Sequence, residues 1–399
     1  MSAWAYAWAQ LARRPLQTAL SVLLLALGIA ALLVVLVVQS QWARSLTRDA
    51  QGIDLVVGAK GSPLQLILSS IYHVDMPTGN VPLATLAQLR AERLVARAIP
   101  LALGDNLRGF RIVGTEPVLV EHYGGRLAQG TLWHSRQQAV LGAAVARATG
   151  LGIGDTFAGS HGLAMGGPEH EDTPYKIVGV LAPSGSVLDR LVLTGLDSIW
   201  FAHEGEATDP DERRILDAER EVTAVLVRYA SPLAAATLPR KFNAEPRLQA
   251  AVPAAEVARL FGVAGAAIDA VRAFAAVLYA AALLALFVAL MGALEQRRYD
   301  IAILRLLGAS RTRVGGLLLL EAWLLAGLAI LLGALLALAA LALTSHWLAQ
   351  ARSFVLAPLD WPAEAGWAIA AALIVATLAA LVPAWRAARM PIHDALAQG

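Results

Sequence analysis

Few strings in this chain have the residue types and spacing to do chemistry. Gly58-Ala59-Lys60-Gly61-Ser62 is the nearest approach to a phosphate loop. A Walker loop needs G-x-x-x-x-G-K-[ST], so that backbone N–H groups and the lysine surround the phosphates. Here Ala59 separates Gly58 from Lys60, and Gly61 intervenes before Ser62, which excludes ATP hydrolysis by this route. His161 and His170 share a Gly-, His- and acid-rich stretch with Glu169, Glu171 and Asp172. Imidazole and carboxylate are zinc-ligand types, but no strict ligand spacing is present and such loops are often only solvated, so no metal site is expected here. Ser184, Ser186 and Asp189 read as a Gly/Ser turn beside a strand, not a hydrolase site, and neither a G-x-S-x-G elbow nor an H-E-x-x-H helix occurs. His73, His122, His134 and His203 stand singly. Glu321 is a carboxylate inside an apolar block, a functional candidate by default. It lies roughly two helical turns from the block's start. The expectation is a structural or coupling role, the side chain reaching the interface or pairing with an arginine such as Arg313 or Arg386.

The elements that position these residues follow from hydropathy. The chain of 399 residues is 57% hydrophobic and 16% charged, where soluble proteins carry about a quarter. The net charge of +2 and the absence of any Lys/Arg run argue against a nucleic-acid partner. With no cysteine there is no disulfide or thiolate chemistry. The apolar residues gather in four blocks near residues 16–38, 274–294, 314–343 and 365–382, each long enough to cross a bilayer. The first is longer than a signal-peptide core, and Gln39-Ser40-Gln41-Trp42 offers no small-residue cleavage site, so an uncleaved anchor is expected.

Orientation follows from arginines in the short flanks. Arg13 and Arg14 precede the first block. Arg297, Arg298, Arg305, Arg311 and Arg313 separate the second from the third. Arg386 and Arg389 follow the fourth, while the loop before it holds only Arg352. Both termini and the 295–313 loop are therefore expected in the cytoplasm, with residues 39–272 facing outward. The expected divisions are an N-terminus and first helix (1–38), a stalk and outer domain (39–272), a second helix (273–294) and a cytoplasmic loop (295–313). A third helix (314–343), a short outer loop (344–364), a fourth helix (365–385) and a tail (386–399) complete them. Trp347, Trp361, Trp367 and Trp385 sit where aromatic belts form.

The outer region mixes both periodicities. Strands are expected at 54–58, 110–114, 138–142, 175–181, 191–194 and 222–228, and helices at 81–93, 143–149 and 232–242. That is an α+β domain, in two lobes by its alternation, with a loop over 159–174. Val257, Leu260, Phe261, Ala264, Ile268 and Val271 recur at helical spacing, so the second membrane helix should begin as a stalk. Small residues at Gly327, Gly333 and Ala337 suit helix packing. Glu295–Leu307 reads as a short amphipathic helix, with Tyr299, Ala302, Ile303 and Leu306 on one side and Gly308 at its C′ position. From the residues alone it serves equally as a protein-docking element or as a surface helix whose arginines meet anionic membrane lipid.

The loop Arg297-Arg298-Tyr299-Asp300 through Leu304-Arg305-Leu306-Leu307-Gly308-Ala309-Ser310 resembles the coupling segment of the MacB/LolCE/FtsX-type ABC permeases, with Asp300 where glutamate is commoner. The ending Pro383-Ala384-Trp385-Arg386 through Ala395-Leu396 is similar to that family's C-terminus. Ile112–Thr115, Gly124–Arg126, Val140–Gly142, Leu151–Asp155 and Ile177–Val180 resemble the MacB-like periplasmic core. The resemblance implies a free-standing permease that is not itself an enzyme, its ATP and Mg being bound by a separate cytoplasmic ATPase dimer. Glu295, Arg297, Arg298, Tyr299, Asp300, Ile303, Leu304, Arg305, Leu307 and Gly308 would couple to it. It further implies a second permease subunit, identical or related, and a periplasmic adaptor or carrier. The cargo would be a lipoprotein, peptide, drug-like molecule or metal-related ligand. The alternative is an FtsX-like regulator that activates a cell-wall hydrolase and transports nothing.

Overall fold

Among the described residues, four helices are long and apolar enough to cross a membrane, within Pro15–Ala50, Gly265–Ala285, Arg311–Trp347 and Ala363–Arg386. A large α+β domain is inserted between the first and second. The computed structural model describes residues 3–162, 172–204, 209–296, 298–350 and 357–389. The chain runs α1 (Ala3–Ala12), α2 (Pro15–Ala50), β1 (Leu55–Ala59), α3 (Pro63–Ser70), β2 (Val81–Pro82), α4 (Ala84–Ala91), β3 (Val95–Leu107), β4 (Phe110–Gly114) and α5 (Val118–His122). It continues through β5 (Leu127–Gly130), β6 (Gln138–Leu141), α6 (Ala143–Thr149), β7 (Thr156–Phe157), β8 (Ser160–His161), β9 (Tyr175–Leu181), β10 (Val192–Thr194) and α7 (Leu196–Glu204). Then come α8 (Pro210–Glu219), β11 (Glu221–Val222), β12 (Ala224–Tyr229), α9 (Leu233–Asn243), β13 (Leu248–Ala251), α10 (Pro253–Gln296), α11 (Arg298–Leu306), α12 (Arg311–Gln350) and α13 (Ala363–Arg389). They fall into two compact units, Met1–Trp42 with Ala264–Gly399, and Ala43–Val263.

In the membrane unit the core is built from small residues. Ala26, Ala322, Ala326, Ala329, Ala372 and Ala376 are buried together with Leu25, Ile29 and Leu33. Without water to drive association, helices in lipid gain stability from close packing, and small residues permit it. Gly333 on α12 faces Ala26 and Ile29 of α2, and Gly28 on α2 faces Tyr279 and Ala282 of α10. Gln41 is buried near the end of the first span. Its side chain donates to Ala357 O at 2.7 Å and Asp360 O at 2.9 Å and accepts from Ala357 N at 2.9 Å, tying α2 to the turn before α13. Trp347, Trp367 and Trp385 are exposed, as belt residues are, whereas Trp361 turns inward against the core and donates to Pro358 O at 2.8 Å. The helix α1, which hydropathy blocks do not single out, lies against α12. It buries Ala7 and Leu11 and exposes Trp4 and Trp8 one turn apart.

In the inserted unit one mixed sheet runs in the order β13-β1-β12-β3-β4-β10-β6-β9-β5, with β7 added to β9 and β8 to β3. The strand β3 joins two halves: Val95–Leu101 pair with β12, and Ala102–Leu107 pair with β4. Each half has its own core. Leu55, Val57, Val225, Val227 and Phe242 fill one; Ile112, Ile177, Tyr175, Leu141 and Val192 fill the other. The two lobes expected from the sequence are thus two halves of one sheet.

Three expectations change. Residues 81–93 do not form a single helix: Val81–Pro82 pair with Glu221–Val222, and the helix begins at Ala84. Pro82 has no N–H to donate but is tolerated in so short a strand. The strand β3, the longest of the sheet, is absent from the periodicity reading because Pro100 interrupts it, and proline ordinarily demotes a run to edge strand or loop. Ser160–His161, expected within a loop, pair with Asn106 and Asp105 of β3.

Candidate coupling site

The segment between the second and third membrane helices is shaped by its ends. Gly308 adopts φ +96°, a left-handed conformation that side chains rarely enter. This turns the chain so that Ala309 N donates to Leu304 O at 2.9 Å and Gly308 N to Arg305 O at 3.1 Å. Those two bonds are a Schellman C-cap, which satisfies the carbonyls that the end of α11 leaves open. Ser310 then caps the next helix, its Oγ accepting from Arg313 N at 3.2 Å. Leu-Gly-Ala-Ser is therefore a stop signal followed directly by a start signal.

The helix α11 is held by one side. Ile301 and Ala302 are buried, and Ile301 joins Val314, Leu318 and Ala384 in a small core linking α11 to α12 and α13. Ile303, Leu304 and Arg305 are half-buried, while Leu306 and Leu307 are 60% and 80% exposed. The inward side is thus centred on Ile301 and Ala302, and Leu306, expected on it, points away. Glu295 is exposed at the end of α10; Tyr299 and Asp300 lie on α11 next to Arg298; Arg297 falls outside the described residues. Glu321 is 5% exposed. It lines a cavity of about 30 Å³ with Tyr6, Ala7, Ile301, Leu304, Val314, Leu317 and Leu318. Arg313 and Arg386, its expected partners, are both exposed. The intramembrane carboxylate therefore sits where α1, α11 and α12 meet, in a space large enough for a water molecule. The residues from α1 could have been suspected from Trp4, Trp8 and Leu11, which recur at helical spacing ahead of Arg13 and Arg14.

In the inserted unit the end of α2 is locked by polar groups the sequence reading missed. Asp49 is buried; its Oδ1 accepts from Val187 N at 3.0 Å, and its Oδ2 lies 3.9 Å from Arg190 Nη2. Tyr123 donates its hydroxyl to Asp49 O at 3.0 Å, and Tyr72 to Leu46 O at 2.9 Å. Arg190 also donates to Tyr72 O at 3.0 Å, and burial pulls its pKa below the usual guanidinium range although Asp49 opposes this. No local pattern announces such a hub, because its members come from four separate segments. The Ser184–Asp189 group closes the turn leading into it: Ser184 Oγ donates to Asp189 Oδ1 at 2.8 Å, and Ser186 Oγ accepts from Leu188 N at 3.4 Å.

Of the two histidines weighed as metal ligands, His170 lies outside the described residues. His161 projects from β8 toward the buried carboxylate of Asp105, its Nδ1 3.3 Å from Oδ1. His203, which the sequence left single, approaches the same oxygen from α7 with Nε2 at 3.6 Å. A cleft of about 590 Å³ opens elsewhere on this unit between α4 and the Trp133–Arg136 segment, rimmed by the Arg90–Glu116 ion pair at 2.7 Å.

Two family models match the chain. A MacB-like periplasmic core domain covers residues 18–245, more than half of it, and an FtsX-like permease C-terminal domain covers residues 272–392. The chain belongs to the MacB/FtsX-like ABC permease family. It is a multi-pass membrane protein of a family whose permeases work with ABC ATPase partners. Among solved structures it is similar to the periplasmic region of MacB from Actinobacillus actinomycetemcomitans, with 11% identity and a TM-score of 0.35 over 53% of this chain and 95% of that one. It is also similar to the extracellular domain of the noncanonic ABC-type transporter YknZ from Gram-positive bacteria, with 11% identity and a TM-score of 0.31 over 50% of this chain and 98% of that one. No curated protein matches it.

Proposed function

We propose that this permease is the membrane subunit of a MacB/LolCE-type transporter, driven by a separate ATPase that binds ATP and Mg and grips α11. In this reading both termini and residues 295–313 face the cytoplasm of a bacterial inner membrane, and residues 39–272 face the periplasm. Two permease subunits, identical or related, work as a pair. Nucleotide-driven motion reaches the inserted domain through α2 and α10, and that domain moves a cargo on the outer side with an adaptor or carrier.

One observation carries the reading: α11 is anchored by Ile301 and Ala302 while Leu306 and Leu307 are left exposed beside the Schellman cap. A helix fixed on one side and apolar on another can pass force from a docked protein to α12 and α13. The two adjacent leucines give a docked protein an apolar contact to cover at the end of this short connection.

The test is to purify the full chain from its own host in mild detergent and identify the proteins retained. Wild type should bring down an ATPase. Leu306→Asp with Leu307→Asp should reduce that recovery roughly thirtyfold, the equivalent of an interface hot spot of ~2 kcal/mol. Absence of any ATPase with wild type, or full recovery with the double variant, overturns the reading.

A further inference from the structure

We propose that Asp105, His161 and His203 form a binding site for a divalent transition-metal cation, with Zn²⁺ the best chemical match. One ligand atom from each residue lies within 4.8 Å of the other two. Tetrahedral zinc with bonds of ~2.1 Å holds its ligand atoms ~3.4 Å apart. The two imidazole-to-carboxylate distances, 3.3 and 3.6 Å, straddle that edge length. Two imidazoles and one carboxylate are a donor set that suits zinc, and three protein ligands leave a fourth position for solvent or an exchanging ligand.

The backbone aims these groups. Opposite β4, the register of β3 shifts by one residue between Leu103 and Asn106. The bulge falls at Gly104 and Asp105, and bulges re-aim side chains. The Asp105 side chain is wholly buried, while those of His161 and His203 are 43% and 36% exposed, giving a cation a path from solvent to a desolvated carboxylate. His161 is placed by direct strand pairing, Asp105 opposite His161. His203 stands in the last turn of α7, where the helix dipole favours positive charge.

The tautomer of His203 points the same way. Its Nδ1 lies 2.8 Å from Ile199 O. A carbonyl oxygen only accepts, so Nδ1 carries the proton. In the neutral ring, Nε2 then turns a lone pair toward the Asp105 carboxylate. Two lone-pair-bearing atoms at that separation need a proton or a cation between them. A ring N–H held by a backbone carbonyl while the other nitrogen faces outward is also how metal-bound histidines are oriented. The competing arrangement is an aspartate bonded to two protonated imidazoles that serves only to fasten β8 and α7.

The test uses the full chain in detergent, freed of metal and carrying no polyhistidine tag. Zn²⁺ is titrated by calorimetry, and Co²⁺ is titrated while its visible absorption is recorded. Wild type should bind one equivalent of Zn²⁺ at this site, and Co²⁺ should give the intense bands of a four-coordinate ion. Loss of an outer-shell partner alone costs 10–100-fold in metal affinity, so His161→Gln and His203→Gln should each weaken binding by at least ~100-fold. His134→Gln should leave it unchanged. His161 is exposed, so His161→Gln keeps the fold; an unchanged unfolding temperature of the metal-free variant checks this. No saturable zinc binding by wild type, equal affinity in the His161 variant, or a weak octahedral cobalt spectrum each overturns the proposal in favour of the fastening role.

Discussion

At Gly308 a single missing side chain decides how the coupling segment ends. With φ at +96° and no neighbouring atom near a Cβ built there, the cost of a substitution is conformational rather than steric. Gly308→Ala should weaken the cap of α11 by about 1 kcal/mol. Hydrogen exchange over residues 298–309 should accelerate accordingly, while exchange in the inserted domain stays as it was. His73 makes the opposite point, a non-glycine residue held at φ +54°. Desolvation of its ring, with Arg111 and Arg190 beside it, keeps its pKa well below the ordinary imidazole value. The folded state thus holds it neutral while the unfolded chain titrates near 6.5, so its contribution is present above about pH 6.5 and lost as pH falls below that. The unfolding temperature of the full chain should drop between pH 7 and pH 5. His73→Asn should flatten that drop, since asparagine tolerates the left-handed region.

Helices and strands here are positioned by close contacts at a few points rather than by their general character. A Cβ on Gly333 would meet Ala26 O at 2.9 Å and Ile29 Cβ at 3.1 Å, so α2 and α12 approach closely because that residue is glycine. Gly333→Val should overpack this contact and cost about 1–3 kcal/mol. Gly327→Ala, on the same helix but with no atom within 4 Å of its added carbon, should be neutral. Thermal inactivation in detergent, followed by size-exclusion chromatography, distinguishes the two. At the other end of α2 the attachment is polar: Asp49, Tyr72, Tyr123 and Arg190 hold the last turn. The helix is thus packed on small residues in the membrane unit and held by hydrogen bonds in the inserted unit. On α10 the expected stalk stripe is partly covered, with Val257 buried, Leu260, Phe261 and Ile268 half-buried and Val271 exposed.

For the whole molecule, the proposed machine requires that the Arg298–Leu306 helix and the inserted domain lie on opposite sides of the bilayer. A reporter active only in the cytoplasm should work when fused at Ser310 and fail when fused at Pro232. A reporter active only outside should do the reverse. The same activity at both sites would break the link between ATPase and inserted domain.

Much of this protein was legible before any coordinate. Hydropathy located the four apolar blocks, because length and apolarity in lipid are local properties. Alternating runs gave the α+β character, and the six expected strands and the helix Ala143–Thr149 fell where their periodicity put them. The cap at Gly308 was readable because its chemistry is confined to neighbouring residues. Tertiary structure alone decided that β3 spans both halves of the sheet, which Pro100 concealed. It alone gathered Asp49 with Tyr72, Tyr123 and Arg190, turned Ile301 inward rather than Leu306, and set His161 and His203 against Asp105. Those groupings depend on pairing between distant segments, and side-chain period along one segment carries no record of which other segment it will meet.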